Sequence, residues 1–387
     1  MSKYGRRRLS RMGCAAAAAA IAMGAAACGS SDSTSTASSG GGSGDSSALV
    51  SQACAQATAD QKPVSFTGPT ESFDTTKAKG KTVWWINYGT HPTGVQTTKA
   101  ALEAAAKLGI TVKQFDGAFS VPEWNRGVLQ AVAQKADAIV LFSIDSKLVS
   151  NGIAKAKAAG IPVIYVLSPS PTAKWGTEDA DASYDFAGAG KMIANHIVCK
   201  TKGSVTGHVV TDTAYGASPA IWSGAQTVFS HCSSCKITTS NIPLQDWGTK
   251  VSTDVKSSLL KNPKVNFVWP LYDAGGPSAA AGIGEAGATS RVSLTGVNGA
   301  PANLALVCNG QQSASVGQPA SWMGWAAMDQ TARVLAGAPQ VDEHVPNRLL
   351  VKANMTCPAP KAQLDSVLGT VDYRAQYEKL WSQAAGS

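Results

Sequence analysis

From residue 81 to about 355, short apolar runs alternate with longer segments whose apolar positions recur every three to four residues. The runs at 83–86, 110–115, 138–142 and 161–167 predict strands, because strands covered on both faces read as continuous apolar blocks. The segments between them predict amphipathic helices. One carries Val95, Leu102, Ala105 and Ala106 on one side. A second opens at Ser120, with Glu123 at capping-box spacing, and buries Val128, Leu129, Val132, Ala133 and Ala136. A third covers 146–159 and is stopped by Gly160. Strands separated by single helices need crossovers, which makes such a sheet parallel and doubly wound.

The pattern restarts after Tyr184. A helix over 190–198 leads to strands at 205–210, 266–269, 292–296 and 314–316, with further helices between them and a last one over 322–335. Two similar stretches with no long polar break between them predict an α/β protein of two doubly wound, parallel-sheet lobes sharing one hinge.

The first 47 residues differ in kind. Lys3, Arg6, Arg7, Arg8 and Arg11 precede an uncharged, Ala-rich run over 14–27 that is too short to span a bilayer. Residues 1–27 therefore predict a signal peptide. Ala25-Ala26-Ala27-Cys28 resembles the lipobox of bacterial lipoproteins, which would place a lipid on Cys28; an ordinary cleaved signal is the competing reading. Residues 28–47 predict a flexible Ser/Gly linker reaching roughly 25 Å from the membrane on average. Residues 48–77 are expected to form an irregular N-terminal extension.

Charge follows from this division. Five of the 33 basic residues and none of the 25 acidic ones precede Cys28, so removing that segment lowers the formal charge from +8 to +3. The remaining body keeps no basic run, which argues against a nucleic-acid surface. Six cysteines stay in it: Cys54, Cys199, Cys232, Cys235, Cys308 and Cys357. An even number in an exported chain predicts disulfides, with fifteen possible pairings. The Cys232/Cys235 pair also has redox or zinc spacing. However, it closes a helix instead of opening one, and no second CxxC or HxxxH supplies further ligands.

Other motifs carry no chemistry. Gly282-Ile283-Gly284-Glu285-Ala286-Gly287 spells GxGxxG, yet it lies deep in a predicted helix instead of at a strand-to-helix turn. It is read as small residues that permit close helix packing. There is no GxSxG or HExxH, and Gly188-Ala189-Gly190-Lys191 lacks the rest of a P-loop. Neither an enzyme, a cofactor nor a metal site is expected.

From about residue 81 to 354 the chain resembles bacterial periplasmic binding proteins of the ribose-binding type, which serve ABC importers. The likeness is carried by Gln134-Lys135-Ala136-Asp137-Ala138-Ile139-Val140, Ala159-Gly160-Ile161-Pro162-Val163-Ile164, Ser183-Tyr184-Asp185, Gly296-Val297-Asn298-Gly299, Val316-Gly317-Gln318 and Trp322-Met323-Gly324-Trp325. The resemblance implies three crossing segments near residues 185, 318 and 354. It also implies an N-terminal lobe of 78–185 plus 319–353 and a C-terminal lobe of 186–318 plus 354–387. The pentose-binding polar set is largely replaced: Leu167-Ser168 stands for an Asp-Arg pair, Tyr272-Asp273 for Asn-Asp, Asn298 for an Asp and His91-Pro92 for Asn-Pro, while Gln318 is kept.

Ligand is expected outside the carboxyl ends of the strands. The polar candidates are Tyr88, His91, Ser168, Tyr272, Asp273, Asn298 and Gln318. The stacking candidates are Trp124, Trp175, Trp222 and Trp247, since aromatic faces suit the C–H faces of a sugar. Each tryptophan taken singly is more often a half-buried packing residue, although their clustering strengthens the group; Asp273 and Gln318 are equally readable as caps or hinge pins. The expected role is a monomeric, membrane-tethered protein that delivers a sugar-like solute to an ABC permease. A sensor for a membrane partner and a binder of aromatic or steroid-like solutes are the alternatives.

Overall fold

The structure, a computed structural model, describes residues 43–168, 179–213, 216–359, 368, 369 and 371–383. Helix α1 (Ser43–Ala59) is followed by β1 (Thr82–Asn87), α2 (Pro92–Leu108), β2 (Thr111–Asp116), α3 (Val121–Ala133), β3 (Ala138–Phe142), α4 (Ser150–Ala158), β4 (Val163–Val166) and β5 (Asp179–Tyr184). The chain then passes into a second sheet through α5 (Phe186–Lys200). That sheet comprises β6 (Thr206–Thr211), β7 (Lys236–Asn241), β8 (Phe267–Pro270), β9 (Ser293–Asn298) and β10 (Ala314–Gly317). Its helices are α6 (Ser218–Phe229), α7 (Trp247–Lys261), α8 (Gly276–Glu285) and α9 (Pro301–Asn309). After α10 (Ala320–Ala336), β11 (His344–Val345) joins the first sheet and β12 (Arg348–Leu350) the second, and α11 (Tyr373–Gln383) closes the described chain.

The strand orders are β11-β5-β4-β3-β1-β2 and β12-β10-β9-β8-β6-β7. Within them only the β10–β12 pair is antiparallel. Strand periodicity explains the layers. Val83 and Trp85 of β1 face one apolar cluster with Val140 and Phe142, whereas Trp84 and Ile86 face another with Ile139 and Leu141. Both faces are therefore apolar, as buried parallel strands require. The edge strands β2 and β7 instead alternate partly buried with exposed positions.

Helix α5 packs on α6 through two glycines. A Cβ on Gly190 would clash with the carbonyl oxygen of Ile221, and one on Gly224 with that of Ala187. In the GxGxxG stretch only Gly282 has the expected use, letting α8 approach the Ser252 carbonyl of α7; Gly284 faces open space, and Gly287 (φ 63°) makes the left-handed turn after the helix ends at Glu285.

Several expectations are corrected. Residues 43–59 form a helix instead of linker and irregular chain, because Ala53 and Ala57 enter the core of the second lobe against α5. Packing of an apolar face outweighs the weak local pattern there. The last helix belongs to the first lobe, not the second, since Tyr373, Tyr377 and Trp381 form an i, i+4, i+8 stripe that stacks on Trp322 and Trp325 of α10. The third crossing lies at Pro346-Asn347, between β11 and β12, instead of near 354. Residues 348–350 consequently belong to the second sheet. Ser120 caps α3 without a side-chain bond, and the Glu123 carboxylate pairs with Arg126 (Nε to Oε2, 3.0 Å), so neither half of a capping box forms. The cysteines pair as Cys54–Cys199, Cys232–Cys235 and Cys308–Cys357.

Candidate functional site

In each sheet the first strand lies between the second and third, so neighbouring loops diverge at its carboxyl end and open a crevice. In the first lobe the crevice falls between the ends of β1 and β3, and in the second between those of β6 and β8.

At the end of β1, His91 caps α2: Nδ1 accepts from the Gly94 amide at 3.2 Å, and the ring lies parallel to Phe142 at 6.4 Å. Burial holds the imidazole pKa below its ordinary value, which keeps the ring neutral. Its Nε2 is buried with no hydrogen-bond partner among the described residues. Next to Phe142, Ser143 has φ 59° and a buried Oγ that also has no partner among them. Leu167 (φ 54°) ends β4 and Asn298 (φ 125°) ends β9 in similarly unfavourable conformations. Non-glycine residues in such backbone wells concentrate where loops are shaped for function. Ser143 was not among the sequence candidates. No local motif marks it, and only the register of β3 places it at the crevice.

Tyr88 forms an aromatic group with Trp124 (4.8 Å, stacked) and Phe119 (5.3 Å, edge-on). Trp124 is 4% exposed and donates from Nε1 to the Tyr88 carbonyl at 2.8 Å, so it supports the loop instead of projecting from it. Phe119, 37% exposed, is the aromatic at the rim. No motif in the sequence singles it out. Ser168 is buried and donates to the carbonyls of Leu141 (3.2 Å) and Val166 (3.1 Å). Trp175 lies outside the described residues.

In the second lobe the aromatic candidates are packed. Trp247 is 1% exposed, donates from Nε1 to the Ile242 carbonyl at 2.7 Å and lies 5.9 Å from Tyr272. Trp222, half-buried, sits between helix and sheet, 6.3 Å from both Trp269 and Phe229. Trp247 has the surroundings of a core residue, whereas Trp222 lies half-buried against the core of the second lobe. The Tyr272 hydroxyl accepts from Ser218 Oγ at 3.2 Å.

Asp273 is fully enclosed. Its Oδ2 accepts from the Ala300 amide and from Ser315 Oγ, each at 2.8 Å, which fixes the loop entering α9. Burial pushes its carboxyl up to about 6. Asp212, at the end of β6, plays the same part for the next loop by accepting from the Leu244 amide at 2.8 Å. Gln318 sits in the hinge: its Oε1 accepts from Asn298 Nδ2 at 2.9 Å, and its Nε2 donates to Asn347 Oδ1 at 3.3 Å. Asn347 Nδ2 donates onward to the Asp185 carbonyl at 2.7 Å. One amide chain thus touches all three crossing segments.

The described residues contain no group of three or more His, Cys, Asp or Glu arranged to hold a metal, and no helix long and apolar enough to cross a membrane. Cys28 lies outside the described residues.

Two lobes of this topology, joined by three crossings, define the type I periplasmic binding protein fold. The chain belongs to the periplasmic binding protein domain family, which it matches over residues 77–339. No curated protein matches it. Among solved structures it is similar to an ABC transporter solute-binding protein from Agrobacterium vitis with bound allitol (24% identity, 71% of this chain and 96% of that one, TM-score 0.64). It is also similar to one from Mycobacterium smegmatis with bound glycerol (21%, 73% and 98%, 0.66) and one from Bacillus halodurans with bound myo-inositol (15%, 72% and 96%, 0.66).

Proposed function

We propose that this protein is an extracytoplasmic, lipid-anchored solute-binding protein that captures a sugar or polyol between its lobes and presents it to an ABC permease. The observation that carries this reading is the placement of two buried, unpartnered polar atoms, His91 Nε2 and Ser143 Oγ, around Phe142 at the crevice of the first lobe. A buried polar atom without a partner costs free energy, and a ligand hydroxyl would offset that cost. Phe119, the exposed aromatic, would meet an apolar face of the solute, with Asn298 and Gln318 closing from the hinge. Export and anchoring are supported by residues 1–47, and the solute class by the polyols bound in the similar structures.

Binding is the function, and hinge closure the mechanism. Contacts to both lobes would favour the closed form in proportion to their differential affinity for it. The test is a thermal-shift screen against hexoses, pentoses, inositols, linear polyols and aromatic or steroid-like compounds. A ligand at about 100 times its dissociation constant adds about 2.7 kcal/mol. Stabilisation by a carbohydrate or polyol, lost in Ser143→Ala and His91→Ala, is the expected result. A response confined to the aromatic or steroid compounds would reject the proposed solute class.

A further inference from the structure

The N-terminal arm makes a connection between the lobes that the hinge itself does not include. Its first part is fixed to lobe two: Cys54 of α1 is bonded to Cys199 of α5, and Ala53 and Ala57 enter that lobe's core. The fixation continues to the end of the helix and just past it. The Asp60 carbonyl accepts from the Leu349 amide at 2.9 Å, and the Gln61 carbonyl accepts from Arg348 Nε at 2.9 Å and Asn354 Nδ2 at 3.1 Å. These partners hold the arm against β12, beside the third crossing.

A few residues later the arm is fixed to lobe one. Phe66 stacks on Trp322 at 5.5 Å and meets Tyr377 edge-on at 5.5 Å. Phe73 lies under the Arg333 guanidinium at 4.5 Å, and Arg333 Nη2 donates to the Glu71 carbonyl at 2.7 Å. Arg333 is itself held in the core by Asp329, with Nε 2.6 Å from Oδ2. Between the two anchors, the Val64 amide donates to the Leu368 carbonyl at 2.9 Å. Leu368 in turn packs near Gly317, directly before the second crossing.

We propose that residues 61–66 act as a short strap that limits how far the lobes can separate, with the Cys54–Cys199 disulfide holding its lobe-two end. Even fully extended, the five residue steps from Gln61 to Phe66 reach only about 17 Å. Opening beyond that span must pull Phe66 from its aromatic seat or strip Gln61 from β12. The hinge therefore carries a fourth connection, whose reach is set by the length of chain between its anchors and whose stop holds as long as Phe66 and Gln61 stay seated. This rests on the reading above only in taking the lobes to be movable.

The decisive variant lengthens the strap without touching its anchors. About twelve Gly and Ser residues inserted between Lys62 and Pro63 add roughly 20 Å of flexible reach. Spin labels on bio-orthogonal residues at the exposed positions Val121 and Thr249 report the distance between α3 of lobe one and α7 of lobe two. In the unliganded protein the insertion should lengthen the mean distance and broaden its distribution, whereas the same insertion between Gly287 and Ala288, within lobe two, should not. Phe66→Ala should act in the same direction as the insertion and gives a second test if the insertion fails to fold. Cys232→Ser/Cys235→Ser, which removes a disulfide confined to lobe two, should leave the distance unchanged. A folded strap variant with the parental distribution would overturn the proposal. No solute is used in this measurement, so a failed sugar screen and a failed strap are told apart.

Discussion

Asn298 donates through Nδ2 to Oε1 of Gln318 at 2.9 Å, joining a strand end of lobe two to the segment that crosses into lobe one. A glutamine suits this place because its amide both accepts and donates without burying a charge. The same side chain reaches Asn347, and Asn347 reaches the backbone of Asp185. The hinge is held by polar contacts whose partners can shift as the crossing segments rotate.

Replacing Gln318 with Leu keeps the volume and removes both hydrogen bonds. The amides of Asn298 and Asn347 are only partly buried and can turn to water, so each lost bond costs about 0.5–1.5 kcal/mol. Urea denaturation should show that loss, and the interlobe distance should spread in the unliganded protein. Unchanged stability together with an unchanged distance would show that the amide chain does not hold the hinge.

Trp247 and Ser143 should respond in opposite ways. Truncating a large core side chain costs roughly 3–5 kcal/mol, so Trp247→Ala should lower the melting temperature sharply. Ser143→Ala removes a hydroxyl with no partner among the described residues, so stability should hold while solute affinity falls. Calorimetry of both variants decides the matter, and the reverse outcome would return Trp247 to the list of stacking residues.

The α5–α6 contact should tolerate no Cβ. Gly190→Ala or Gly224→Ala places a methyl against a main-chain carbonyl, which has no rotamer to escape into. Overpacking of this kind costs typically about 1–3 kcal/mol. Gly284→Ala, where a Cβ would meet open space, is the control and should be neutral or mildly stabilising by removing glycine from a helix.

Asp181 supplies a pH dependence. Burial, with Asp342 adding like charge, raises its carboxyl from 3.8 to about 7. The folded state therefore holds this proton more tightly than the unfolded chain. Its contribution is fully present below about pH 3.8 and is lost as the pH climbs through about 7. Asp181→Asn should flatten the fall in melting temperature between those limits, and a variant that keeps the parental slope would show that Asp181 is not its source.

No free thiol should be found in the chain beyond residue 47. Denaturation without reductant followed by thiol titration should give close to zero, since Cys54, Cys199, Cys232, Cys235, Cys308 and Cys357 are all paired. Two or more reactive thiols would contradict this pairing.

Much of the fold was legible along the chain. The blocks 83–86 and 138–142 read as strands because each of their residues is buried on one sheet face or the other, so hydrophobicity alone reports them. The even cysteine count signalled disulfides, and GxGxxG could be set aside because its place in a helix was readable. What stayed hidden depends on contacts between residues far apart in sequence. Helix α1 has little apolar periodicity and forms where α5 and Cys199 receive it. The aromatic stripe of α11 names no partner until α10 presents Trp322 and Trp325. At the site, residue type drew the eye to Trp124 and Trp247, whereas strand register and loop conformation brought forward Ser143 and Phe119. Local pattern determined the elements and their order, because burial on a strand or helix repeats at a fixed period. Tertiary structure alone decided which polar atoms lack partners and which segments span the lobes, because both are set by what distant chain brings within reach.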